Sequence, residues 1–498
     1  RKKENINKEV LFGDIEIELS NLEIISESKT LPFQIEDDID TDEQIRLKHR
    51  YLDIRRSEMN KNIIARSKTF KSIRESMNKL GINELDTPTL IKSTPEGAKD
   101  FIVPSRKSPG NFYALPQSPQ MYKQLFMLSG LKNYYQIAKC YRDEDSRKDR
   151  QPEFTQLDIE ISNGNPEIVQ KIIESTMKHV LKNVYSIQVK TPFKKMTYDE
   201  AMNMYGTDKP DLRIKETISD FTDIFRDTEI SFIKETINNK GEVRGFVINK
   251  ILSRSEIDTL DENIKNEGSP GLGWFKIENK KVTGPLAKIL NEKENKELIK
   301  YDNSTVLFQS GNKHETSQYL DTLRRQIYTI HNENTYEFLW IYDFPYFEIE
   351  NDQLQPSHHP FTSPKNTAEF LSNPEDAKAL HYDLVLNGIE LGSGSQRIND
   401  PKLQKDVLSK WGLSESEINE RFGWFIEALS YGSPQHAGFA VGIDRFIAEL
   451  MNAESIRDVI PFPKTQSGLD PLTNAPSSLS SLELEEYNIS IESLDNEQ

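Results

Sequence analysis

Residues 153–161 read EFTQLDIEI, and this alternation of polar and apolar side chains predicts a half-buried β-strand. The alternation assigns the side chains to two faces: Thr155, Leu157, Ile159 and Ile161 on one, and Phe154, Gln156, Asp158 and Glu160 on the other. An aromatic ring, an amide and two carboxylates on one face could bind a nucleotide and an amine. A solvated hairpin face would give the same pattern, so the strand alone leaves both interpretations open.

A second strand is predicted at residues 135–144 (YQIAKCYRDE), joined to the first by the charged loop 145–150 (DSRKDR). Its alternation predicts one shared face: Gln136, Ala138, Cys140, Arg142 and Glu144. The planar guanidinium of Arg142 could bind two phosphate oxygens beside Phe154, which could stack on a base. The two strands together predict a hairpin with a candidate binding surface.

The stretch 382–397 (YDLVLNGIELGSGSQR) contains Asn387-Gly388 between apolar runs, which is a strong hairpin-turn signal. In a two-residue turn Val385 pairs with Glu390, and this places Glu390 diagonally from Asp383 on one face. These carboxylates could hold Mg²⁺ between them, or they could be two surface acids on a hairpin with a glycine bulge.

The glycines of the same strand, Gly392 and Gly394, would leave room for a ligand close to the backbone. Ser393 lies between them. If the strand is regular, its side chain faces away from Glu390.

Residues 436–446 (HAGFAVGIDRF) predict an apolar strand that leads into an amphipathic helix. Arg445 would then lie near a helix N-terminus, where backbone N–H groups and the helix dipole favour an anion. A structural arginine that pairs with Asp444 or another acid is the alternative.

Residues 57–80 predict a helix that begins at Ser57-Glu58 and is terminated by Gly81. Residues 82–90 predict a short edge strand interrupted by Pro88. The helix and strand could contact a second copy of the chain or pack within one copy.

The first 56 residues contain an acidic, alternating segment followed by a basic segment. Residues 14–19 (DIEIEL) alternate and predict the last strand of a β-module whose earlier strands precede residue 1. Residues 45–56 (IRLKHRYLDIRR) then carry five basic side chains: Arg46, Lys48, Arg50, Arg55 and Arg56. Such a run is a solvated surface or, beside Tyr51, a contact for an RNA backbone.

The composition limits the class of protein. The 498 residues suggest about three domains, and a net charge of −17 argues against a general nucleic-acid coat. The longest wholly apolar stretch found near the C-terminus, residues 437–443, is too short for a membrane span. The first residues lack the apolar core of a secretory signal and begin without Met, so we expect a truncated or processed cytoplasmic protein. Cys140 is the single cysteine, which excludes internal disulfides and zinc sites with several cysteine ligands.

Taken in order, these segments resemble the three signature motifs of the class II aminoacyl-tRNA synthetases, and specifically of the bacterial aspartyl type. The helix leading into Asp86-Thr87-Pro88 resembles motif 1, residues 141–144 (YRDE) and 150–156 (RQPEFTQ) resemble motif 2, and residues 442–445 (GIDR) resemble motif 3. Further segments are similar to the aspartyl type: 94–98 (TPEGA), 115–120 (LPQSPQ), 358–364 (HHPFTSP), 458–460 (DVI) and 462–464 (FPK). The similarity runs from about residue 13 to the mid-470s.

The resemblance implies an α+β protein whose catalytic domain has a six-stranded antiparallel sheet flanked by helices. An inserted α+β GAD-like domain divides it, and the remnant of an anticodon-binding OB-fold precedes it. The implied divisions are an OB-fold remnant (1–32), a hinge (33–57), the first catalytic part (58–211), the insertion (212–328) and the second catalytic part with an acidic tail (329–498). The family also implies a homodimer formed through motif 1.

The resemblance implies a function as well: activation of L-aspartate by ATP to aspartyl-adenylate, then transfer to the 3′ end of tRNA-Asp, with tRNA-Asn left open. The matching ATP-binding positions are Arg142, Asp143, Glu144, Gln151, Phe154, Glu390, Gly442, Ile443, Asp444 and Arg445. Of these, the resemblance assigns the catalytic role to Arg142 and Arg445. The matching aspartate-binding positions are Glu96, Gln120, Met121, Tyr122, Lys123, Arg142, Asp158, His358, His359 and Arg397. Asp383 and Glu390 would hold Mg²⁺.

Lys123 and Arg397 would present two cations to the aspartate side chain, and an asparagine amide would pair poorly with them. The family usually has three glycines where this chain has Gly392-Ser393-Gly394, a departure from which we expect little effect. The sequence leaves two alternatives to compare with this function. A non-catalytic paralogue would have lost a motif arginine or a metal acid, and none is lost. An aspartate–ammonia ligase also makes aspartyl-adenylate, but that family has neither the anticodon module nor the insertion.

Overall fold

The computed structural model describes residue 4 and residues 6–8, 12–94, 97–328, 334–350 and 353–491. The α-helices in this part of the chain are α1 (Glu43–Lys48), α2 (Arg50–Asp53), α3 (Ser57–Lys79), α4 (Gln120–Leu128), α5 (Pro166–Val180), α6 (Tyr198–Tyr205), α7 (Ser231–Asn238), α8 (Arg254–Asn266), α9 (Glu292–Leu298), α10 (Lys313–Ile327), α11 (Thr367–Ser372), α12 (Pro401–Lys410), α13 (Glu415–Ser430), α14 (Ile443–Leu450) and α15 (Ser481–Glu486). None of these helices has the length and apolarity needed to cross a bilayer.

The strands of the same residues form four sheets. They are β1 (Ile102–Pro104), β2 (Phe112–Ala114), β3 (Asn133–Tyr141), β4 (Glu153–Ser162), β5 (Lys194–Thr197), β6 (Ser219–Asp220), β7 (Glu242–Ile248), β8 (Gly273–Glu278), β9 (Lys281–Thr283), β10 (Ser304–Gly311), β11 (Phe338–Tyr342), β12 (Phe347–Glu350), β13 (Gln353–Pro356), β14 (His381–Leu386), β15 (Ile389–Gln396) and β16 (His436–Gly442).

The largest sheet has seven strands in the order β3-β4-β16-β15-β14-β11-β5. The first six are antiparallel to their neighbours, as the resemblance implied, and β5 joins β11 in parallel as a seventh. The strands are distant in sequence, so the sheet brings motifs 2 and 3 together: β4 pairs with β16 from His436↔Ser162 to Gly442↔Gln156.

One face of this sheet is covered by helices and forms the main core. Leu157 and Ile159 of β4 are fully buried there, against Ile173 of α5 and Phe446 of α14. The predicted alternation of β4 is therefore confirmed, because the residues between them face the opposite side and line a cavity. Burying the apolar face leaves the polar face available for a ligand.

The second sheet has five antiparallel strands in the order β6-β7-β10-β8-β9 and lies between Ser219 and Gly311. Stacked rings of Phe225, Phe275 and Phe308 fill one of its faces, with centroids 5.3 to 6.3 Å apart. Its other face is covered by α8 and α10 through a separate apolar cluster. Two faces with their own cores are what an independently packed α+β unit requires.

Two strand predictions are wrong. Residues 14–19 form no strand, and Ile15, Ile17 and Leu19 are exposed. A strand needs a neighbour to pair its backbone groups, and no described segment lies beside these residues in a sheet. Residues 82–90 contribute a single bridge, Glu84↔Tyr135, instead of an edge strand.

The basic segment after residue 44 is not a continuous surface for RNA. It forms α1 and α2, and Arg50 is buried, with its guanidinium donating to the carbonyl oxygens of Arg457, Ile460 and Pro461 at 2.7 to 3.0 Å. Arg56 is also buried and donates to Asp53. Arg50 therefore binds the segment to the C-terminal part of the catalytic unit, and Arg56 holds it to the preceding residues through the Glu36 carbonyl oxygen at 2.8 Å.

Candidate active site

A cavity of about 610 Å³ opens on the polar face of the seven-stranded sheet. Strands β4, β15 and β16 form its floor, while α4 and the loop between β3 and β4 contribute to its walls. It brings together most of the residues singled out from the sequence: Gln120, Lys123, Arg142, Glu144, Gln151, Phe154, Asp158, His359, Glu390, Arg397, Gly442, Asp444 and Arg445.

Three other candidates point elsewhere. Met121 is buried in an apolar cluster with Phe361, and the ring of Tyr122 lies 6.3 Å from that of Trp424. Helix α4 explains both, because Gln120 and Lys123 lie one turn apart on the cavity face and the two residues between them turn away. Ile443 is likewise in the main core.

The remaining candidates lie beside the cavity or outside the described residues. His358 and Asp383 line a neighbouring cavity of about 500 Å³, where the His358 ring stacks on that of His381 at 3.7 Å. Asp143 borders neither cavity, and its backbone N–H donates to the carbonyl oxygen of Lys99. Glu96 lies outside the described residues.

Four buried charged side chains lie together at this cavity, and three of them line it: Lys123, Asp158 and Arg397. The Lys123 ammonium is 2.8 Å from Asp158 Oδ1 and 3.5 Å from Glu160 Oε2. The Arg397 guanidinium donates through Nε and Nη2 to the two oxygens of Glu160, at 2.9 and 3.2 Å. We call Lys123, Asp158, Glu160 and Arg397 the charged quartet. Burial opposes ionisation of Glu160, but Arg397 and Lys123 hold the pKa of its carboxyl below the ordinary value.

The sequence predicts Glu160 on the polar face, but the resemblance assigns it no role. The alternation that selected Asp158 also selects Glu160 two residues later, so this signal was available. Its partner Arg397 is 237 residues away, and only the pairing of β4, β16 and β15 brings them together.

Arg397 also contacts His359, whose ring Nε2 lies 2.7 Å from Nη1, and donates to Ser395 Oγ at 2.7 Å. Burial and the adjacent guanidinium lower the pKa of His359 well below its ordinary value. The histidine is therefore neutral at pH 7, and its Nε2 accepts a hydrogen bond from Arg397.

The quartet leaves a small set of unused polar groups for a ligand. An ammonium has three N–H groups and a guanidinium has five, so Lys123 and Arg397 each keep about one after these contacts. Asp158 Oδ2 and Gln120 Nε2 are buried and have no hydrogen-bond partner among the described residues. Donors and an acceptor that converge in this way suit a small molecule carrying an ammonium and more than one carboxylate.

Two arginines define the other end of the cavity. The Arg142 guanidinium lies 5.0 Å above the Phe154 ring. Arg445 donates from Nη1 to the Glu390 carbonyl oxygen at 2.8 Å, and from Nη2 to Asp149 Oδ2 at 3.2 Å. Asp149 is an exposed partner, so Arg445 is held in place at the cavity edge without being buried.

The two adjacent residues of motif 3, Asp444 and Arg445, have different surroundings. Asp444 is buried, pairs with Arg66 of α3 and accepts the Thr155 N–H at 2.7 Å. Gln151 is similarly occupied, because its amide oxygen accepts from the Lys464 N–H at 2.8 Å and its nitrogen donates to the Lys464 carbonyl oxygen at 3.1 Å. Both side chains border the cavity while tying its walls together.

The Asn387-Gly388 hairpin is confirmed, and Val385 pairs with Glu390 as predicted. The register shifts by one residue directly after this pair, since Leu384 pairs with Gly392. The bulge overturns the prediction for Ser393, whose hydroxyl lies on the side of Glu390 and donates to its Oε1 at 3.3 Å.

The two glycines of β15, Gly392 and Gly394, line the cavity as predicted, and they also have a packing role. A Cβ at Gly392 would meet the Ala440 carbonyl oxygen, and one at Gly394 would meet the Gly438 carbonyl oxygen. The glycines therefore also allow β15 and β16 to pack closely.

Comparison with known proteins decides the family. Residues 42–466 match the family described as tRNA synthetases class II (D, K and N). The chain belongs to this family. It is 44% identical to the aspartate–tRNA(Asp/Asn) ligase of Hydrogenobaculum sp. (strain Y04AAS1) over 97% of this chain and 86% of the relative. It is 42% identical to the aspartate–tRNA ligase of Shouchella clausii (strain KSM-K16), over 99% of this chain and 86% of the relative.

A solved structure shows the same fold at lower identity. The asparaginyl-tRNA synthetase from Pyrococcus horikoshii, complexed with asparaginyl-adenylate, superimposes with a TM-score of 0.53 and 16% identity. The match covers 91% of this chain and 79% of the other. It supports the class II fold.

In this class II synthetase, the predicted metal carboxylates are close to each other and partly neutralised. Burial and the neighbouring Glu390 raise the pKa of Asp383 well above its ordinary value. Burial acts on Glu390 too, but Lys209 and Arg445 hold the pKa of Glu390 below its ordinary value. The repulsion between the two acids is the kind that a bound cation relieves, so the donor set fits Mg²⁺.

A histidine lies beside Asp383, one of the two predicted metal carboxylates. Its Oδ1 is 2.7 Å from His381 Nε2, and burial lowers the pKa of His381 to about 3. The histidine is therefore uncharged at neutral pH, so its contact with Asp383 is a hydrogen bond and not an ion pair. Within the described ranges, no group of three or more His, Cys, Asp or Glu could hold a metal ion, so a cation here would take its other ligands from substrate or water.

Proposed function

We propose that this class II synthetase is an aspartate–tRNA ligase. It activates L-aspartate with ATP and transfers the aspartyl group to the 3′-terminal ribose of tRNA-Asp. The observation that carries the proposal is the charged quartet at the base of a cavity whose other end has Arg142, Phe154 and Arg445. The names of the two relatives, which match nearly the whole chain, support the same assignment.

The polar groups of the quartet that remain without a partner support recognition of aspartate. The free Asp158 Oδ2 accepts from the α-ammonium, and the remaining N–H groups of Lys123 and Arg397 donate to the side-chain carboxylate. Gln120 Nε2 offers one further donor to a carboxylate oxygen. Asparagine would turn an amide N–H toward one of the two cations, which would leave a buried donor without an acceptor.

The two arginines support binding of ATP. Phe154 stacks on the adenine, and Arg142 binds the α-phosphate, while Arg445 binds the γ-phosphate beside the N-terminus of α14. A divalent cation held by Asp383 and Glu390 would neutralise part of the phosphate charge. Of the other predicted ATP positions, Glu144, Gln151, Glu390, Gly442 and Asp444 line the cavity, whereas Asp143 and Ile443 do not.

The first step is an in-line displacement at the α-phosphorus. The α-carboxylate of aspartate forms a P–O bond as the bond to the β-phosphate oxygen breaks, and pyrophosphate leaves. The charge that develops on the phosphoryl oxygens lies between Arg142 and Arg445. The residues orient the two reactants, and no side-chain nucleophile is needed.

In the second step, a ribose hydroxyl of tRNA attacks the carbonyl carbon of aspartyl-adenylate. The ester bond forms, AMP leaves with the electron pair of the broken C–O bond, and the hydroxyl proton passes to a phosphate oxygen or to water. An aspartate–ammonia ligase would donate the same adenylate to ammonia. That alternative is not favoured, because both relatives named above are tRNA ligases.

We also propose the domain division and the dimer that the family implies. The second sheet lies inside the range 212–328, which supports an inserted domain there. A groove of about 1120 Å³ runs along α3, the helix of motif 1, and Ile64 in it is exposed. A second copy of the chain would cover it. Ile64→Glu should then shift the protein toward a monomer in sedimentation velocity, and an unchanged oligomeric state would contradict the assignment.

The experiment that tests the function is ATP–pyrophosphate exchange with each amino acid, followed by charging of tRNA-Asp and tRNA-Asn. We expect exchange with L-aspartate and at most weak exchange with L-asparagine, without any requirement for tRNA. Transfer of aspartate to tRNA-Asp should follow. Exchange with another amino acid, or release of asparagine from aspartate and ammonia, would overturn the proposal.

A further inference from the structure

Lys209 is a cation at the centre of the site that the sequence did not single out. Its Nζ lies 3.2 Å from Glu390 Oε2 and 3.8 Å from Asp208 Oδ2. It lines both the main cavity and the neighbouring cavity that contains Asp383. Its side chain is 41% exposed, so the ammonium can be reached from the cavity by a ligand.

The ammonium of Lys209 therefore occupies the position of a counter-ion to a carboxylate assigned to the metal. A divalent cation on Glu390 would compete with this contact, because Oε2 faces Lys209 and Oε1 already accepts from Ser393. A lysine suits such an exchange, since its ammonium is a point charge on a flexible arm and turns to a new acceptor at little cost. Phosphate oxygens of ATP are the acceptors that would arrive with the cation.

The backbone that carries Lys209 is held by α10, the last helix of the second sheet's unit. Arg325 of α10 donates from Nη2 to the Lys209 carbonyl oxygen at 2.7 Å, and its Nε is fixed by Asp321 Oδ2 at 2.7 Å. Gly206, at the start of this loop, has a φ of +75°, and a Cβ there would meet the Ser317 carbonyl oxygen of α10. The loop is therefore positioned by the inserted unit.

The same arginine contacts the hairpin that carries Glu390. A Cβ at Gly388 would lie 2.6 Å from Arg325 Nη1, so the turn between β14 and β15 packs directly on this guanidinium. One side chain thus touches both the loop of the lysine and the turn of the glutamate, and it sets the separation of their charged ends.

We propose that Lys209 is a positioning residue for adenylation: its ammonium neutralises Glu390 before the substrates bind, then moves to a phosphate oxygen of ATP when a divalent cation binds Glu390. Arg325 of the inserted unit holds Lys209 at the distance that permits both contacts. The inference rests on the proposed function, because ATP is the ligand that supplies the second contact.

The test is a comparison of Lys209→Gln with Lys209→Arg and the parent protein. The first readout is binding of Mn²⁺ without ATP, followed by electron paramagnetic resonance. Loss of the competing cation should make Mn²⁺ bind about tenfold more tightly to Lys209→Gln, whereas Lys209→Arg should bind it like the parent. Lys250→Gln is a matched control, since Lys250 forms an exposed ion pair with Glu256 at 2.8 Å in the inserted unit.

The second readout is the KM for ATP in aspartate-dependent exchange. It should rise about tenfold or more in Lys209→Gln, while the KM for aspartate changes by less than about twofold. Tighter metal binding combined with weaker ATP binding is the expected signature, because a merely distorted loop would weaken both. Arg325→Gln should change both quantities in the same directions by a smaller factor.

Unchanged or weaker Mn²⁺ binding in Lys209→Gln would overturn the inference, and parental values in Arg325→Gln would overturn the role of the inserted unit. A failure of the proposed function looks different. The parent protein would then lack aspartate-dependent exchange, whereas the Mn²⁺ comparison needs neither aspartate nor tRNA and would still report on Lys209.

Discussion

Arg397→Met tests whether the charged quartet works as one unit. The variant leaves Glu160, which is completely buried, with Lys123 at 3.5 Å as its remaining cation in the quartet, and Lys123 is shared with Asp158. An uncompensated buried charge costs about 3–5 kcal/mol. At roughly 3 °C per kcal/mol for a unit of this size, the catalytic transition should move down by about 10 °C in calorimetry. Aspartate-dependent exchange should fall by about 10²-fold, with little change in the KM for ATP.

The double variant Arg397→Met with Glu160→Gln supplies the decisive comparison. It removes both charges of the pair, so it should recover a large part of the lost stability while aspartate activation stays low. Arg74→Met is a matched control. The Arg74 Nε–H is shared between the two oxygens of Glu84, at 3.0 and 3.1 Å, but these side chains are 47% and 40% exposed, so the cost should be about 1 kcal/mol or less. If the double variant is less stable than Arg397→Met by the full cost of Glu160→Gln, the two residues act independently and the reasoning fails.

Three further predictions address the remaining parts of the site. Glu390→Gln keeps the shape of the side chain and removes one metal charge, so adenylate formation should fall and need more Mg²⁺; a parental Mg²⁺ titration would remove Glu390 from the metal site. Phe154→Leu removes the ring beneath Arg142, and the KM for ATP should rise about threefold to tenfold, whereas an unchanged KM would exclude stacking. The pKa of Glu160 is lower in the folded protein, so its stabilising contribution is complete above the ordinary value of 4.5 and is lost as the pH falls through the folded value. The difference in stability between the parent and Glu160→Gln should therefore be constant above about pH 5 and shrink below 4.5, and a difference that grows with acid would contradict the assignment.

Local patterns in the sequence determined those features that depend on neighbours in the chain. The alternation of β4 placed Phe154, Asp158 and Glu160 on one face, because successive side chains of any strand point to opposite sides. Asn387-Gly388 determined the turn between β14 and β15, since both residues adopt positive φ there. The motifs occur in the order found in the class II synthetases, and this resemblance was sufficient to expect the class II fold.

Local patterns failed where a residue's role depends on what packs against it. The segment 14–19 alternates like a strand but pairs with no strand among the described residues. Arg50 belongs to a basic run but is buried among carbonyl groups of the C-terminal segment. The spacing within α4 could have excluded Met121 and Tyr122, because neighbouring positions on a helix point about 100° apart.

Only the tertiary structure decided how the charges of the site are paired. Glu160 and Arg397 meet because three strands from distant parts of the chain lie side by side, and Ser393 faces Glu390 because one bulge shifts the register of β15. Lys209 reaches Glu390 from a loop held by Arg325 of another unit. A sequence pattern specifies which way a side chain points within its own strand or helix, whereas the energy of a buried charge depends on partners that only packing brings within a few ångströms.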